Sequence, residues 1–381
     1  MRINTTTRRR GRQRGFVLIT MAAGAIALLV ALGLAVDLGR MFIAKSETQT
    51  YVDAAALAAT LELDGTQSGI TRAKAAVTAQ TNKWNFNTSS VPAPTVTFAT
   101  TMAGPWSSSP ASAVGILYSK VNATVPMNLF FFPVIVSQFT QNVNSIGTAG
   151  QVPLTNFPQG LAPYTAVSTD NTPPNFGLTV GDKYDIQWPQ FNDTRSGCGP
   201  TNPDKCFNQP TCDDESLNSK IAVASYWGSN NNGYWGSTSN SDIRDEILDV
   251  IQLEAVSVGT NIQPVLTSGN KASEAGYLDQ RVNEDNSITT NDLTTYLADS
   301  NHNNRRLLPV PIVDPTTTTN TTVIGYGLFM LITNGGSSSN FYVKQTNGND
   351  PFCAIYAGPY DIAGRIGAGG STGATVVHLV Q

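Results

Sequence analysis

The chain has 381 residues, of which only 13% are charged, with 23 Lys and Arg against 27 Asp and Glu and a net charge of −4. Six arginines (Arg2, Arg8, Arg9, Arg10, Arg12 and Arg14) precede every acidic residue, so the rest of the chain holds 17 basic against 27 acidic side chains. An acidic body without a basic stripe argues against a nucleic-acid partner, and two histidines leave little material for a metal or hydrolytic centre.

The first predicted element follows those arginines. Phe16 to Val36 is an uncharged, largely apolar run of 21 residues. As a helix it would reach about 31 Å, the hydrocarbon thickness of a bilayer. Basic flanks stay on the cytoplasmic side, so residues 1–15 read as a cytoplasmic tail, 16–36 as a transmembrane helix and everything later as extracytoplasmic. A cleaved signal peptide would have a shorter apolar core and a small-residue cut site. Here no proline interrupts Phe16 to Leu63, and the run is expected to stay as an anchor in the lipid bilayer. The absence of any cysteine before Cys198 excludes a lipoprotein.

Helix is expected to continue to Leu63, where Asp64-Gly65 supplies a stop. Ala44, Ala54, Ala55, Ala56, Ala58 and Ala59 favour helix and are small enough to let another backbone approach along Tyr51 to Leu61. Asp37 and Asp53 read as solvated helix charges.

These residues carry a family resemblance. Asp37, Gly39 and Arg40 just past the apolar run, then Gln49, then Asp53, Ala54, Ala55 and Leu57, resemble the N-terminal module of the TadE/TadG-like Flp pilus-assembly proteins. That resemblance implies a bacterial tight-adherence system, a place in the inner membrane and a periplasmic C-terminal domain. It also implies other pilus-assembly or pilin-like membrane proteins as partners. Gly15-Phe16 is similar to a prepilin peptidase site, but Thr20 stands where a glutamate is expected, which favours a permanent anchor over a processed minor pilin. Larger members carry a von Willebrand-type A domain with a DxSxS motif. The nearest string, Asp285 to Thr289, follows a polar helical stretch instead of a buried strand and is rejected.

Gly69 to Lys83 is expected as a second helix, with Ala73, Ala76, Val77 and Gln80 at helical spacing. Strands are expected within 91–100, 113–127 and 140–153, which would complete a small pilin-like α+β module over 37–153. Between the last two strands Phe130-Phe131-Phe132-Pro133 reads either as a buried hairpin connection or as a contact with a partner or membrane surface. Three consecutive Phe cannot all point inward from a strand. Residues 154–175, with four prolines, read as a linker.

Residues 176–381 are expected to form a β-rich α+β domain, and the fold class of the whole chain is α+β. Its strands are Tyr184–Trp188, Leu307–Val313, Val323–Thr333, Phe341–Lys344, Phe352–Ala357 and Thr375–Val380. Its helices are Ser241–Glu254, capped by Ser241, and Ser273–Asn283. Cys198, Cys206, Cys212 and Cys353 are disulfide candidates in an oxidising compartment, with three connectivities open. Their spacing lacks the CxxC of a zinc site. YWGS occurs twice, and Tyr226, Trp227, Tyr234 and Trp235 could meet a surface glycan or protein, or cover a local core.

Asn283 to Asp292 resembles part of a calcium loop, but Arg281 falls where the first oxygen ligand is required. His302 sits in a polar loop, His378 in a strand, and Gly367 to Gly373 forms a turn. No GxSxG or HExxH is present. The functional expectation is a non-enzymatic membrane protein of Flp-type pilus assembly, without cofactor or metal. Two alternatives stay open: a processed minor pilin, and a membrane-anchored carbohydrate-binding or degradative protein.

Overall fold

A computed structural model describes residues 13–80, 83–133, 137–162, 164, 166–168, 170–186, 240–249, 255–262, 272–285, 287–314, 321–333, 352–361, 365–368 and 370–380. It is a mixed α+β structure with a long apolar helix at its N-terminal end.

That helix, α1, runs unbroken from Gln13 to Leu61, because nothing in the sequence interrupts it and its second half is rich in alanine. Among the described residues it is the one helix long and apolar enough to cross a membrane. Its first half touches almost nothing: Phe16 is 72% exposed and Leu29 67%. From Asp37 onward one face is buried, through Ala44, Thr48, Tyr51, Val52, Ala55, Ala56 and Ala59. The reversal after Leu61 uses Gly65 at φ +80°, a conformation glycine adopts without steric cost. Thr66 then caps α2 (Gln67–Ala79), its hydroxyl accepting from the Gly69 N–H at 3.0 Å. This second helix starts two residues before the expected Gly69 and buries Ile70, Ala73 and Val77 against the same core.

A two-stranded ribbon follows, β1 (Lys83–Trp84) with β2 (Ser89–Ser90). Three strands of one sheet follow, β3 (Thr95–Ala99), β4 (Tyr118–Asn128) and β5 (Thr140–Pro153), of which β4 and β5 lie against α1. Strict alternation puts Val121, Ala123, Val125 and Met127 inward and Thr124, Pro126 and Asn128 outward, the two-residue period of a half-buried strand.

The chain next forms β6 (Asn156–Phe157), β7 (Ala166–Val167) and β8 (Lys183–Ile186). Helix α3 (Asn240–Asp249), β9 (Val256–Ser257), β10 (Asn261–Ile262), α4 (Ala272–Asn283) and α5 (Leu293–Ala298) precede a second large sheet. Its principal strands are β11 (Leu307–Asp314), β12 (Thr321–Leu331) and β13 (Phe352–Gly358), in the order β7-β11-β12-β13-β8, with β10 also on β12. The remaining strands are β14 (Tyr360–Asp361), β15 (Arg365–Ile366) and β16 (Ala374–Leu379).

These last three join the first sheet, in the order β15-β14-β16-β5-β4-β3. Strand β16 runs antiparallel to β5, from Thr375 opposite Pro153 to Leu379 opposite Ala149. The sheet on α1 therefore uses both the segment before residue 153 and the end of the chain. The stretch expected as a linker is likewise built in. β6 pairs with β9, β7 with β11, and Phe157, Leu161, Ala162 and Tyr164 are buried. Proline richness reports a chain that is locally stiff; tertiary pairing decides whether such a chain packs.

In the second sheet, Tyr184, Phe329 and Tyr356 meet edge-on or tilted around one centre. Two buried arginines tie the helices to it. Arg306, at 0% exposure, donates to the carbonyls of Leu331, Ile288 and Thr290 and to Asn291 Oδ1. Arg281 donates to the carbonyls of Ile247, Leu248 and Leu307. This accounts for an arginine where a calcium loop would place its first ligand. Asp285, from the same string, is buried and accepts from the Tyr296 hydroxyl, and Asp292 caps α5 through the Thr295 N–H at 2.7 Å. Helix α3 begins at Asn240, so Ser241 lies inside its first turn and is not the cap expected for it. The expected strand 341–344 lies outside the described residues.

Candidate functional site

The residues that suggested a family gather along α1, and most of them hold the helix to its own sheet. Asp37 is the first charge after the apolar run, and it is not solvated as expected. It is 2% exposed. Its Oδ1 accepts from the Phe130 N–H at 3.0 Å, and its Oδ2 accepts from Phe131 and Phe132 N–H, both at 2.8 Å. One carboxylate thus satisfies three consecutive backbone donors at the tip of the β4–β5 hairpin, which no strand partner reaches. Burial acts to raise the Asp37 pKa, but the three N–H donors and the Arg40 charge outweigh it and hold the carboxyl below its ordinary 3.8.

Arg40, one turn further on, donates to the Asn128 carbonyl at 3.0 Å and lies over the Phe130 ring at 4.3 Å. That combines a charge-assisted bond with a cation–π contact. Together the two residues form a collar that fixes the hairpin tip to the helix. Below it the Phe131 ring presses on Gly33, where an added Cβ would come within 2.6 Å of the ring. The phenylalanine triplet is neither a buried connection nor free in solution. Phe130 is 62% and Phe131 46% exposed while their backbone is held.

Higher on the helix, side chains of α1 serve the edge of β5 beyond the end of β16. Lys45 Nζ donates to the Asn144 carbonyl at 2.6 Å, and Gln49 Nε2 donates to the Ile146 carbonyl and to Asp53 Oδ1, each at 2.8 Å. These bonds occupy acceptors that an unpaired edge would otherwise offer to another strand. Asp53 is half-buried and partnered. A groove of about 380 Å³ opens beside it, lined by Gln49, Asp53, Trp106, Lys120, Ile146 and Leu379 among others, with Lys120 Nζ 3.8 Å from the Trp106 ring centre.

The alanines explain the close packing. Ala55, Ala56 and Ala59 are each at 0% exposure, and the helix comes so near β5 that a Cβ on Gly147 would lie 2.4 Å from the Val52 carbonyl oxygen. Another backbone does approach along Tyr51 to Leu61, and it is the chain's own sheet. Ser119 Oγ donates to the Ala56 carbonyl at 2.9 Å. Gln151 Nε2 donates to the carbonyls of Thr60 and Leu63, while its Oε1 accepts from the Ala368 N–H at 2.8 Å and the Thr375 hydroxyl at 3.3 Å. A single buried amide therefore joins the end of α1 to the last part of the chain.

Leu57 is half-buried against the same core, Ala54 is exposed, and a Cβ on Gly39 would meet open space. The face of α1 that the sheet does not cover carries Leu38 at 56%, Phe42 at 70% and Ile43 at 37% exposure. Lys45, Ser119, Gly147 and Gln151 had no sequence signal. Their roles depend on partners up to 224 residues away.

Gly15 and Phe16 lie within α1, and Thr20 returns its hydroxyl to the carbonyls of Phe16 and Val17. Cys198, Cys206 and Cys212 lie outside the described residues, as do Tyr226, Trp227, Tyr234 and Trp235. Cys353 lies in β13, its backbone opposite Asp185. Among the described residues no group of three or more His, Cys, Asp or Glu could hold a metal ion.

Residues 15–77 match the family described as putative Flp pilus-assembly TadE/G-like. The matched stretch covers nearly all of α1 and most of α2, and stops short of the strands to which they are bonded. No curated protein and no solved structure matches the chain.

Proposed function

We propose that the protein is a non-enzymatic, single-pass component of Flp-type pilus assembly or tight adherence in a bacterial inner membrane. Phe16 to Val36 spans the bilayer, the arginine-rich tail stays in the cytoplasm, and the sheet-clad part of α1 stands in the periplasm with the second sheet beyond it. The observation that carries this reading is the family match over residues 15–77. It falls on a helix whose lower half is apolar and unpacked, and whose upper half is fixed to a folded body.

The chemistry is associative. The alanine face is already filled by the chain's own strands, so the surface left for neighbouring pilin-like proteins is the opposite one, around Leu38, Phe42 and Ile43. Side chains of that kind just above a membrane would bury apolar area against a second helix. Deleting the gene in the native bacterium tests the role. Loss of Flp pili and of surface attachment, both restored by the full-length chain, is the expected result; unchanged piliation and attachment would overturn it.

A further inference from the structure

We propose that the tip of the β4–β5 hairpin is a second membrane contact, with Phe130, Phe131 and Phe139 seated in the outer surface of the bilayer beside the spanning helix. The inference rests on the membrane-anchored reading and adds a lipid-binding element to the folded body.

The level of the tip follows from its contacts. Phe131 packs on Gly33, which lies three residues inside the apolar run that ends at Val36. At a rise of about 1.5 Å per residue, the ring sits some 4–5 Å below the end of that run along the helix axis. An element lying in the interface typically buries its apolar side chains about 5–10 Å into the headgroup and acyl boundary. A hairpin clamped to the helix at this height cannot avoid the bilayer if the helix spans it.

The composition and hydrogen bonding of the tip fit that place. Phe130, Phe131 and Phe139 are 62%, 46% and 68% exposed, a cluster that in water would cost free energy and in the interface gains it. Backbone donors entering an apolar region need partners, and those of Phe130, Phe131 and Phe132 have theirs in the Asp37 carboxylate. The Leu129 N–H is likewise used, by the Phe139 carbonyl at 2.9 Å. Arg40, stacked on Phe130, stands at the height where anionic phosphates gather. Its charge complements them while its stem covers the ring. Span and tip would together hold the body at two points, fixing its tilt and rotation over the membrane.

Site-specific photocrosslinking of the full chain in vesicles of phosphatidylethanolamine and phosphatidylglycerol tests this. A benzophenone amino acid is placed singly at position 130, 139, 29 or 114. Leu29 reports the span. Val114, 75% exposed, lies beyond the far end of β4, roughly 30 Å from the tip at about 3.3 Å per residue. Lipid adducts at 29, 130 and 139 but not at 114 are expected. Adducts at 29 without any at 130 and 139 would overturn the proposal and leave the anchored reading standing, as would protein adducts in place of lipid at 130 and 139. No lipid adduct at 29 would overturn the anchored reading itself, and with it this one.

Discussion

Replacing Asp37 with Asn tests the collar most sharply, because the change is nearly isosteric, removes the charge and turns one acceptor oxygen into an amide donor. The carboxylate accepts three backbone N–H bonds of 2.8–3.0 Å at a site 2% exposed. An asparagine can keep its oxygen toward Phe131 and Phe132, but its amide group then confronts the Phe130 N–H, donor against donor. Two charge-assisted bonds weaken to neutral ones and a third is lost. At about 1.5–3 kcal/mol for a bond to a charged group, the local cost is about 3 kcal/mol. Opening of the hairpin tip should then be roughly a hundredfold more frequent.

Hydrogen exchange of the Phe130, Phe131 and Phe132 amides, read in the detergent-solubilised full chain, should report that loss of protection while amides in the centre of β12 stay unchanged. Acid should mimic the substitution. The Asp37 carboxyl is held below 3.8 in the folded protein. Its contribution is therefore complete above the unfolded-state value and disappears as pH falls through the lowered folded value. Wild type and variant should converge in strongly acidic solution and differ most near neutrality. Equal protection in the two proteins at neutral pH would refute the collar.

Three further outcomes follow from the same packing. Gly147→Ala forces a methyl against backbone atoms of Val52 and Asp53, neither of which can rotate away, so it should destabilise the first sheet by about 2–3 kcal/mol in denaturant unfolding; an unchanged midpoint would contradict the close approach. Gln151→Ala abandons four partners at the junction of α1 with the end of the chain and should cost about 2–4 kcal/mol, with faster exchange of the Ala368 amide, whereas Thr124→Ala on the outer face should cost little. The intact mass of protein from native membranes should include residues 2–15, because Thr20 replaces the glutamate expected in a processed pilin. A mature chain beginning at Phe16 would assign the protein to filaments.

The sequence was most legible where one periodicity ran without interruption. Strand β5 occupies 140–153, as its β-branched alternation predicts, and α1 ends within two residues of the expected Leu63, because Asp64-Gly65 is a local stop. Local signals also placed Ala55, Ala56 and Ala59 on a close-packing face. They could not say what would cover it, since the answer lies in strands 60 to 320 residues further on. Asp37 shows the same limit. A lone carboxylate at the end of an apolar helix reads as solvated, and only the return of the chain at Phe130 to Phe132 reveals three donors awaiting it. Thr375–Val380 reads as a strand, but the pairing of β16 with β5 depends on the whole path between them. Segment 154–175 reads as a linker from its prolines, which determine φ and remove donors but leave burial undetermined.

The proposed associative role is tested most directly at Phe42, 70% exposed on the face of α1 that the sheet leaves bare. With a photocrosslinking amino acid in place of Phe42 in the native bacterium, irradiated membranes should yield an adduct with another pilin-like protein of the same assembly system, identified by mass spectrometry and missing when the crosslinker is at Val114. Membranes in which position 42 gives no protein adduct, or the same adducts as position 114, would contradict the account.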